Sequence, residues 1–328
     1  MVMFWVAILA VSILLYVLLD GFDLGVGILF GFTRSEERRH AMLSAVAPIW
    51  DGNETWLVVA GVVLWGAFPV VYATLFSAFY LAVLLMLAGL ILRGVAFEYR
   101  YKTQRLRWIW DGGFAGGSLI AAFIQGMTVG ALVETLPVAN GHYTGGEFGW
   151  FSPFSVLCGV GLCLGYSLLG ACWLVRKCEG DVRDAAYRLI PYLSVGLLAL
   201  LVAVFAYALA ENLRVIHRWL ERPYLFIFPA IGVIAALVAA DSVRSRRDGV
   251  PFYMVALIFA AAFGTLAISF WPYMIPFSIT IQEAAAPHSS LSFMFWGEGL
   301  FVFPLMLIYT VISYSVFRGK VRPTTDHY

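Results

Sequence analysis

The amino-acid sequence predicts an all-α integral membrane protein with nine transmembrane helices, forming a single polytopic domain over residues 1–328. Apolar residues of the set AVILMFWYC make up 62% of the chain and charged residues only 12%, whereas soluble domains contain roughly 45–50% and about 25% of these classes. The charge-free runs are continuously apolar rather than alternating, so a membrane β-barrel is excluded. The formal net charge of +1 excludes a nucleic-acid partner and a strongly charged substrate.

The predicted spans follow the charge-free runs of the sequence. Met1–Leu19 continues through Asp20 and Asp23 into a further apolar stretch, which predicts one long helix that contains two acids. It lacks a basic leading segment and a small-residue cleavage site, so we interpret it as a retained span and not a signal peptide. Thr55–Leu92 has 38 residues, about 57 Å of helix, and Pro69 predicts its division into two helices joined by a tight turn. The other predicted spans are Gly112–Val133, Ser152–Val175, Leu189–Ala210, Pro223–Ala240, Val250–Tyr273 and Leu291–Phe317.

The basic residues predict the orientation of the chain in the membrane. With nine spans, 18 of the 21 lysines and arginines fall on one side, and only Arg214, Arg218 and Arg222 fall on the other. Because basic residues accumulate on the cytoplasmic side of membrane proteins, we expect the N-terminus outside and the C-terminus inside.

Five acids lie within or at the edge of apolar runs, and all of them except Glu298 form two pairs of equal spacing. Asp20 and Asp23 are three residues apart in the first span, and Asp51 and Glu54 repeat that spacing at the start of the second. A hairpin of these two helices places all four carboxyl groups at similar depth in the cytoplasmic half of the membrane. Repulsion and burial favour protonated carboxyl groups, an arrangement typical of a proton path or a coupled cation site.

The neighbours of these acids leave a structural interpretation open. The carboxyl groups could instead hydrogen-bond Asn53, Thr55 and backbone groups at helix ends, although we favour proton handling. Trp50 and Trp56 flank the second pair in the segment WDGNETW and are expected to support it. Arg93, at the inner end of the third span, is interpreted as a terminal charge that extends to the interface. Glu298, near the outer end of the last span, receives no role.

Histidine is absent from the predicted spans, which bears on haem binding. A membrane haem protein usually ligates iron through histidine, sometimes methionine, within its helices. We therefore expect no haem and no metal ion to be ligated by this chain. The four cysteines have no CxxC spacing and are interpreted as small apolar helix residues. The five histidines, in predicted loops, helix ends or the tail, are His40, His142, His217, His288 and His327.

Two sequence blocks are specific enough to indicate a family: LDGFDLGVG at residues 19–27 and APIWDGNETWL at residues 47–57. Together with FSAFY at 76–80, RGVAFEYR at 93–100 and WPYMIPFSITIQEAAA at 271–286, they resemble subunit II of the cytochrome bd-type quinol oxidases over nearly the whole chain. The GNETWL and SITIQEAAAP segments resemble the cyanide-insensitive branch more than the better-known branch, in which Glu54 is often glutamine.

The resemblance implies a heterodimer with a related nine-helix subunit I, which carries two haems b and one haem d, in the bacterial cytoplasmic (inner) membrane. The nine helices of subunit II would form two helix bundles plus one extra helix. The complex would oxidise quinol and reduce O₂ to water with protons from the cytoplasm. Subunit II would ligate no haem, although it could hold a quinone or line an oxygen route, and a small extra subunit could be present. The acids matching Asp20, Asp23 and Asp51 would deliver protons or support the structure, whereas the role of Glu54 differs between branches.

Two other functions remain open at the level of sequence. A secondary transporter could use the acid cluster for coupling, but such proteins typically show broken helices and inverted repeats. Neither is evident, although the region of Pro272 and Pro276 resembles a broken helix. A purely structural scaffold for a catalytic partner would share the architecture of an oxidase subunit and differ only in whether the acids carry protons.

Overall fold

The computed structural model describes residues 1–103, 105–139 and 141–321, so His327 lies outside the described residues. Within these ranges, eight helices are long and apolar enough to cross a membrane, or nine if a bent helix pair counts as one span. The helices are α1 (Val2–Gly31), α2 (Glu36–Val46), α3 (Trp50–Ala67), α4 (Pro69–Ala78), α5 (Tyr80–Arg100), α6 (Arg107–Glu134), α7 (Pro153–Lys177), α8 (Gly180–Ala210), α9 (Arg214–Glu221), α10 (Ile227–Arg244), α11 (Val250–Phe270), α12 (Ile281–Ala284), α13 (His288–Met294) and α14 (Phe303–Val316). A 3₁₀ turn, Pro223–Phe226, precedes α10, and a π-helical segment, Phe295–Val302, joins α13 to α14.

The first predicted span forms one continuous helix, whereas the second qualifies as a candidate span only together with the helix that follows it. α1 is a single helix of 30 residues that contains both predicted acids. The helix break at Pro69 is also confirmed, because proline clashes with the preceding turn and is favourable at the start of a new helix. The chain breaks a second time at Phe79, however, so α4 is a separate helix of 10 residues, bent by 119° from α3. The third span therefore begins at Tyr80 rather than directly after the proline.

The all-α prediction needs a small correction in two connections. Strands β1 (Val138–Ala139) and β2 (His142–Tyr143) form one antiparallel hairpin, in which Val138 pairs with Tyr143. Strands β3 (Tyr273–Ile275) and β4 (Ile279–Thr280) form a second one. The connection of the first hairpin is rich in glycine and that of the second contains Pro272 and Pro276, and both residue types favour turns over helix.

Helix α1 lies at the centre of the packing and contacts α3, α6 and α7. Every residue from Asp20 to Phe30 is buried. A Cβ atom on Gly25 would lie 1.8 Å from the carbonyl oxygen of Tyr166, and one on Gly170 would lie 2.6 Å from the amide of Val26. Only glycine permits so close an approach of α1 and α7. The C-terminal half of α1 is thus enclosed by protein, and its acids face neighbouring helices.

The chain segment after α14 is fixed to the ends of other helices. We call residues Phe317–Val321 the C-terminal strap. Lys177 donates hydrogen bonds to two carbonyl oxygens of the strap, and Lys320 in the strap lies 2.9 Å from the carboxylate of Asp248. Partial burial opposes ionisation of Asp248, but hydrogen bonds from Lys320 and Tyr187 outweigh it and lower the pKa of this carboxyl group. The strap therefore holds the end of α14 by charge as well as by backbone contacts.

Candidate functional site

A buried ion network joins α1, α3 and α5. The guanidinium of Arg93 donates from Nη1 to Oδ1 of Asp20 at 2.7 Å and from Nη2 to Oε2 of Glu54 at 3.0 Å. The side chains of Arg93 and Asp20 are 2% and 0% exposed, whereas that of Glu54 is 25% exposed. Charge-assisted hydrogen bonds of this length are the strong ones in protein interiors. One arginine thus holds two carboxylates from different helices.

The second acid of α1 belongs to a hydrogen-bond chain with Asn53 and Tyr314. Asn53 donates from Nδ2 to Oδ2 of Asp23 at 2.7 Å and to the carbonyl oxygen of Leu19 at 3.3 Å. The hydroxyl of Tyr314, on α14, donates to Oδ1 of Asn53 at 2.9 Å. Because the amide has both donors and an acceptor, Asn53 connects three helices at a single point. It lies in contact with Asp23, and its supporting role stays a prediction.

The structure brings together three of the four predicted acids but not Asp51, which is exposed. The buried face of α3 contains Asn53, Trp56 and Val59. Asp51 precedes Asn53 by two residues, about 200° around the helix, so it lies on the opposite side. Glu54 follows Asn53 by one residue, about 100° around the helix, and lies at the edge of the buried face. The expectation of four adjacent carboxyl groups is therefore wrong for Asp51.

The two predicted tryptophans occupy different environments. Trp50 is partly buried and lies with its ring 6.0 Å from the guanidinium carbon of Arg93, a cation–π distance. Trp56 is fully buried and packs edge-to-face against Phe303 at 5.8 Å. Its indole Nε1 has no hydrogen-bond partner within the described part of the chain. Trp50 therefore covers the ion network, whereas Trp56 packs α3 against α14.

The interpretation of Arg93 as an interfacial charge is wrong, because its side chain turns into the bundle. A sequence signal for this placement exists in retrospect. Arg93 and Arg100 are seven residues apart, so they share a face of α5 with the buried residues Ala96 and Phe97. A buried acid such as Asp20 also requires a partner of opposite charge, and this face offers the nearest bases.

A second ion network lies at the end of the bundle where α1 ends. Arg100 is also buried and donates from Nε to Oδ1 of Asp111 at 2.5 Å and from Nη2 to Glu36 at 2.8 Å. Arg39 donates to the other oxygen of Asp111 at 2.7 Å. This network, which we call the rim network, consists of Glu36, Arg39, Arg100 and Asp111 and links α2, α5 and α6. This network could not be identified from the sequence, because Asp111 and Glu36 lie in charged segments outside the predicted spans, where burial is not expected.

A small cavity of about 10 Å³ lies beside Asp23 and Arg93, with room for about one water molecule. Asp20, Asp23 and Arg93 each keep one buried polar atom that has no partner among the residues described: Oδ2, Oδ1 and Nε, respectively. The acid cluster thus retains hydrogen-bonding capacity that its own side chains do not use. The residues that line the cavity are Asp23, Val46, Trp50, Arg93, Phe97 and Phe114.

Glu298 lies apart from this cluster, in the π-helical segment. Its neighbour Gly299 packs against Phe4, near the beginning of α1. Asp20 is 16 residues further along α1, about 24 Å at the helical rise. Glu298 is therefore not a member of the acid cluster.

The positions of the donor side chains bear on metal and haem binding. Across residues 1–103, 105–139 and 141–321, no group of three or more His, Cys, Asp or Glu side chains is placed to hold a metal ion. The histidines there lie in α2, in β2, in α9 and at the first residue of α13. No reaction step is therefore assigned to a haem held by this chain.

Comparison with known proteins relates the whole chain to one kind of complex. A family model described as cytochrome bd terminal oxidase subunit II matches residues 1–317. The chain is 31% identical to a Haemophilus influenzae protein named probable cytochrome oxidase subunit 2 and 30% identical to the Escherichia coli cytochrome bd-I ubiquinol oxidase subunit 2; each match covers 97% of this chain and 94% of the relative. The Bacillus subtilis cytochrome bd ubiquinol oxidase subunit 2 is 29% identical, with 97% and 96% covered.

The fold is shared with a solved oxidase. The structure of bd oxidase from Geobacillus thermodenitrificans matches with a TM-score of 0.76 at 14% identity and covers 97% of both chains. At this identity the match shows the fold alone, whereas the sequence matches over the full length show the family. The chain therefore belongs to the cytochrome bd terminal oxidase subunit II family and is part of a quinol:oxygen oxidoreductase complex.

Proposed function

We propose that this chain pairs with a haem-bearing subunit I in a heterodimeric quinol oxidase and supplies that subunit with a cytoplasmic-side proton path. Subunit I would carry the two haems b and the haem d, and this chain would carry no redox centre. We further propose that the chain forms a single domain of two helix bundles plus one extra helix in the bacterial cytoplasmic membrane, with the N-terminus outside. The names of the Escherichia coli and Bacillus subtilis relatives, both ubiquinol oxidase subunits, support a quinol substrate.

The observation that carries the proton path is the charge imbalance of the buried cluster. Asp20 and Glu54 bind the guanidinium of Arg93, and Asp23 lines the same small cavity as Arg93. If all three were ionised, the cluster would hold two net negative charges in a site shielded from water, which is energetically costly. Binding a proton relieves this cost, and the partly exposed Glu54 is the member that solvent reaches.

The acids also follow a gradient of burial that suits a path. Asp51 is exposed, Glu54 lies one helical turn further along α3 and is partly exposed, and Asp20 and Asp23 are buried. A proton that enters at Asp51 would therefore pass to carboxyl groups that are progressively less exposed to solvent. Asp51 keeps a place in the proposal as the entry acid, although it lies outside the buried cluster.

The proposal is tested by neutral variants that keep the shape of the side chains. In the purified complex, Glu54→Gln and Asp23→Asn are compared with Glu98→Gln, an exposed glutamate on α5. We expect full haem content in all three and quinol-driven O₂ uptake that falls by about tenfold or more in the first two, as for the loss of a proton-transfer group. Full haem content with unchanged turnover in both would rule against a proton path and leave a structural role.

The transporter hypothesis is favoured by no specific feature of the site. Its decisive test is purification of the tagged chain from a native membrane. Co-isolation with a haem-bearing partner and quinol-driven O₂ uptake is expected, whereas a stable carrier that is isolated alone would contradict the oxidase proposal.

A further inference from the structure

A second buried polar chain reaches the acid cluster from the other side of α1. The hydroxyl of Tyr166, on α7, donates to Oε1 of Gln125, on α6, at 2.9 Å. Nε2 of Gln125 donates to the hydroxyl oxygen of Tyr16 at 2.7 Å. Tyr16 and Tyr166 are buried, at 4% and 0% exposure. Tyr16 lies one turn before Asp20 on α1, which brings its hydroxyl next to that carboxyl group.

The amide of Gln125 determines the direction of every hydrogen bond in this chain. Its oxygen can only accept and its nitrogen can only donate, so Tyr16 must act as the acceptor from Gln125. The single O–H of Tyr16 is then left to donate elsewhere. Oδ2 of Asp20 is buried and has no assigned hydrogen-bond partner in the described ranges.

Close packing of α1 and α7 holds the chain in place. A Cβ atom on Gly21 would lie 2.6 Å from the ring of Tyr166, and the backbone of Tyr166 abuts Gly25. The Tyr166 ring also stacks on Phe259 at 5.6 Å between centroids. The ring therefore has little freedom, and its hydroxyl stays directed at Gln125.

We propose that Tyr16 and Gln125 are positioning residues for Asp20: Gln125 orients the Tyr16 hydroxyl so that it donates to Oδ2, while Arg93 holds Oδ1. The carboxylate is then fixed at both oxygens and turned toward Arg93. This inference rests on the proposed proton path, in which Asp20 is a member. The charged and titratable groups that face Asp20 are Tyr16 and Asp23 on α1, Glu54 on α3, Arg93 on α5, Tyr166 on α7 and Tyr314 on α14.

The test measures the pH dependence of the assembled complex. Tyr16→Phe and Gln125→Met keep the side-chain volume but remove the donor or its orientation. Because the ionised carboxylate of Asp20 loses a hydrogen bond, we expect the acid limb of the pH–rate profile of O₂ uptake to move upward by about 0.5–1 pH unit. Thr128→Val is the matched control on α6, since its hydroxyl bonds only a carbonyl of its own helix. It should leave the profile unchanged, and equal shifts in all three variants would overturn the proposal.

A second measurement separates this inference from the proton path. Tyr16→Phe is combined with Asp20→Asn, and unfolding of the purified complex in SDS is followed for both single variants and the double variant. If the hydrogen bond exists, the two changes are non-additive, and their coupling persists even if Asp20→Asn leaves turnover unchanged and the proton path fails. Additive effects would overturn the proposal whatever the activity shows.

Discussion

Replacement of Arg93 by methionine is expected to destabilise the fold strongly, because it removes the only base of the buried network. The methionine retains most of the apolar stem, so the change is chiefly one of charge. Arg93 makes charge-assisted hydrogen bonds to Asp20 at 2.7 Å and to Glu54 at 3.0 Å. Each such bond contributes about 1.5–3 kcal/mol, and breaking a buried ion pair by removing one partner costs about 3–5 kcal/mol.

The energy of the two hydrogen bonds and the cost of breaking a buried ion pair both give a loss of about 4 kcal/mol in the free energy of unfolding. This loss corresponds to about a thousandfold change in the unfolding equilibrium. The loss should be larger at pH 8 than at pH 6, because uncompensated carboxylates reduce their cost by binding protons. The assay is equilibrium unfolding of the purified complex in SDS, followed by tryptophan fluorescence. Arg105→Met is the control, since Arg105 is exposed.

A second variant tests whether uncompensated negative charge is the cause of the lost stability. Adding Asp20→Asn to Arg93→Met removes a stranded negative charge and should recover part of the lost stability. The reasoning would be refuted if Arg93→Met unfolded within about 1 kcal/mol of the control, the range of an exposed ion pair, or if the second change gave no recovery.

Three further predictions concern packing and the C-terminal strap. Asp248→Asn should reduce stability at pH 6, because the folded-state pKa of Asp248 is lowered. The stability that the ionised carboxylate contributes is present above the ordinary pKa of about 3.9 and is lost as the pH falls through the folded-state pKa. The unfolding free energies of wild type and variant in SDS should therefore converge toward pH 3. Gly25→Ala should destabilise by about 1–3 kcal/mol or more, since the added Cβ would lie 1.8 Å from the carbonyl oxygen of Tyr166, as measured by the same unfolding assay. Trp56→Phe should change the unfolding free energy by less than about 2 kcal/mol despite complete burial, because the indole N–H that it removes has no partner in the described chain.

Each of these has an outcome that contradicts it. A stability gap between Asp248→Asn and wild type that widens on acidification would contradict the sign of the strap prediction. Gly112→Ala is the control for Gly25→Ala, because a Cβ there meets nothing within 4 Å, and equal losses in both would show that the close approach of helices is not the cause. A loss well above 2 kcal/mol in Trp56→Phe would mean that the indole N–H is satisfied in the assembled complex.

The helical spans could be predicted from the sequence because the bilayer imposes a local rule. Each crossing needs a charge-free run of about 20 residues, and such runs can be read without knowledge of their neighbours. Two features of the chain departed from the predicted helical spans. The break at Phe79 follows no proline or glycine, and the two short hairpins lie in connections where hydropathy carries no information.

The members of the site could be predicted only in part. The sequence by itself determined that Asp20 and Asp23 share a face of one helix and that Asn53 and Glu54 begin the next. Tertiary structure alone decided that Asp51 turns outward, that Arg93 turns inward, and that Tyr314 reaches Asn53 across 261 residues of sequence. The physical reason is that a membrane helix is apolar on all sides, so its pattern does not reveal which face is buried. Rotation about the helix axis, and with it the partner of each charge, is set by close packing such as the glycine contacts between α1 and α7.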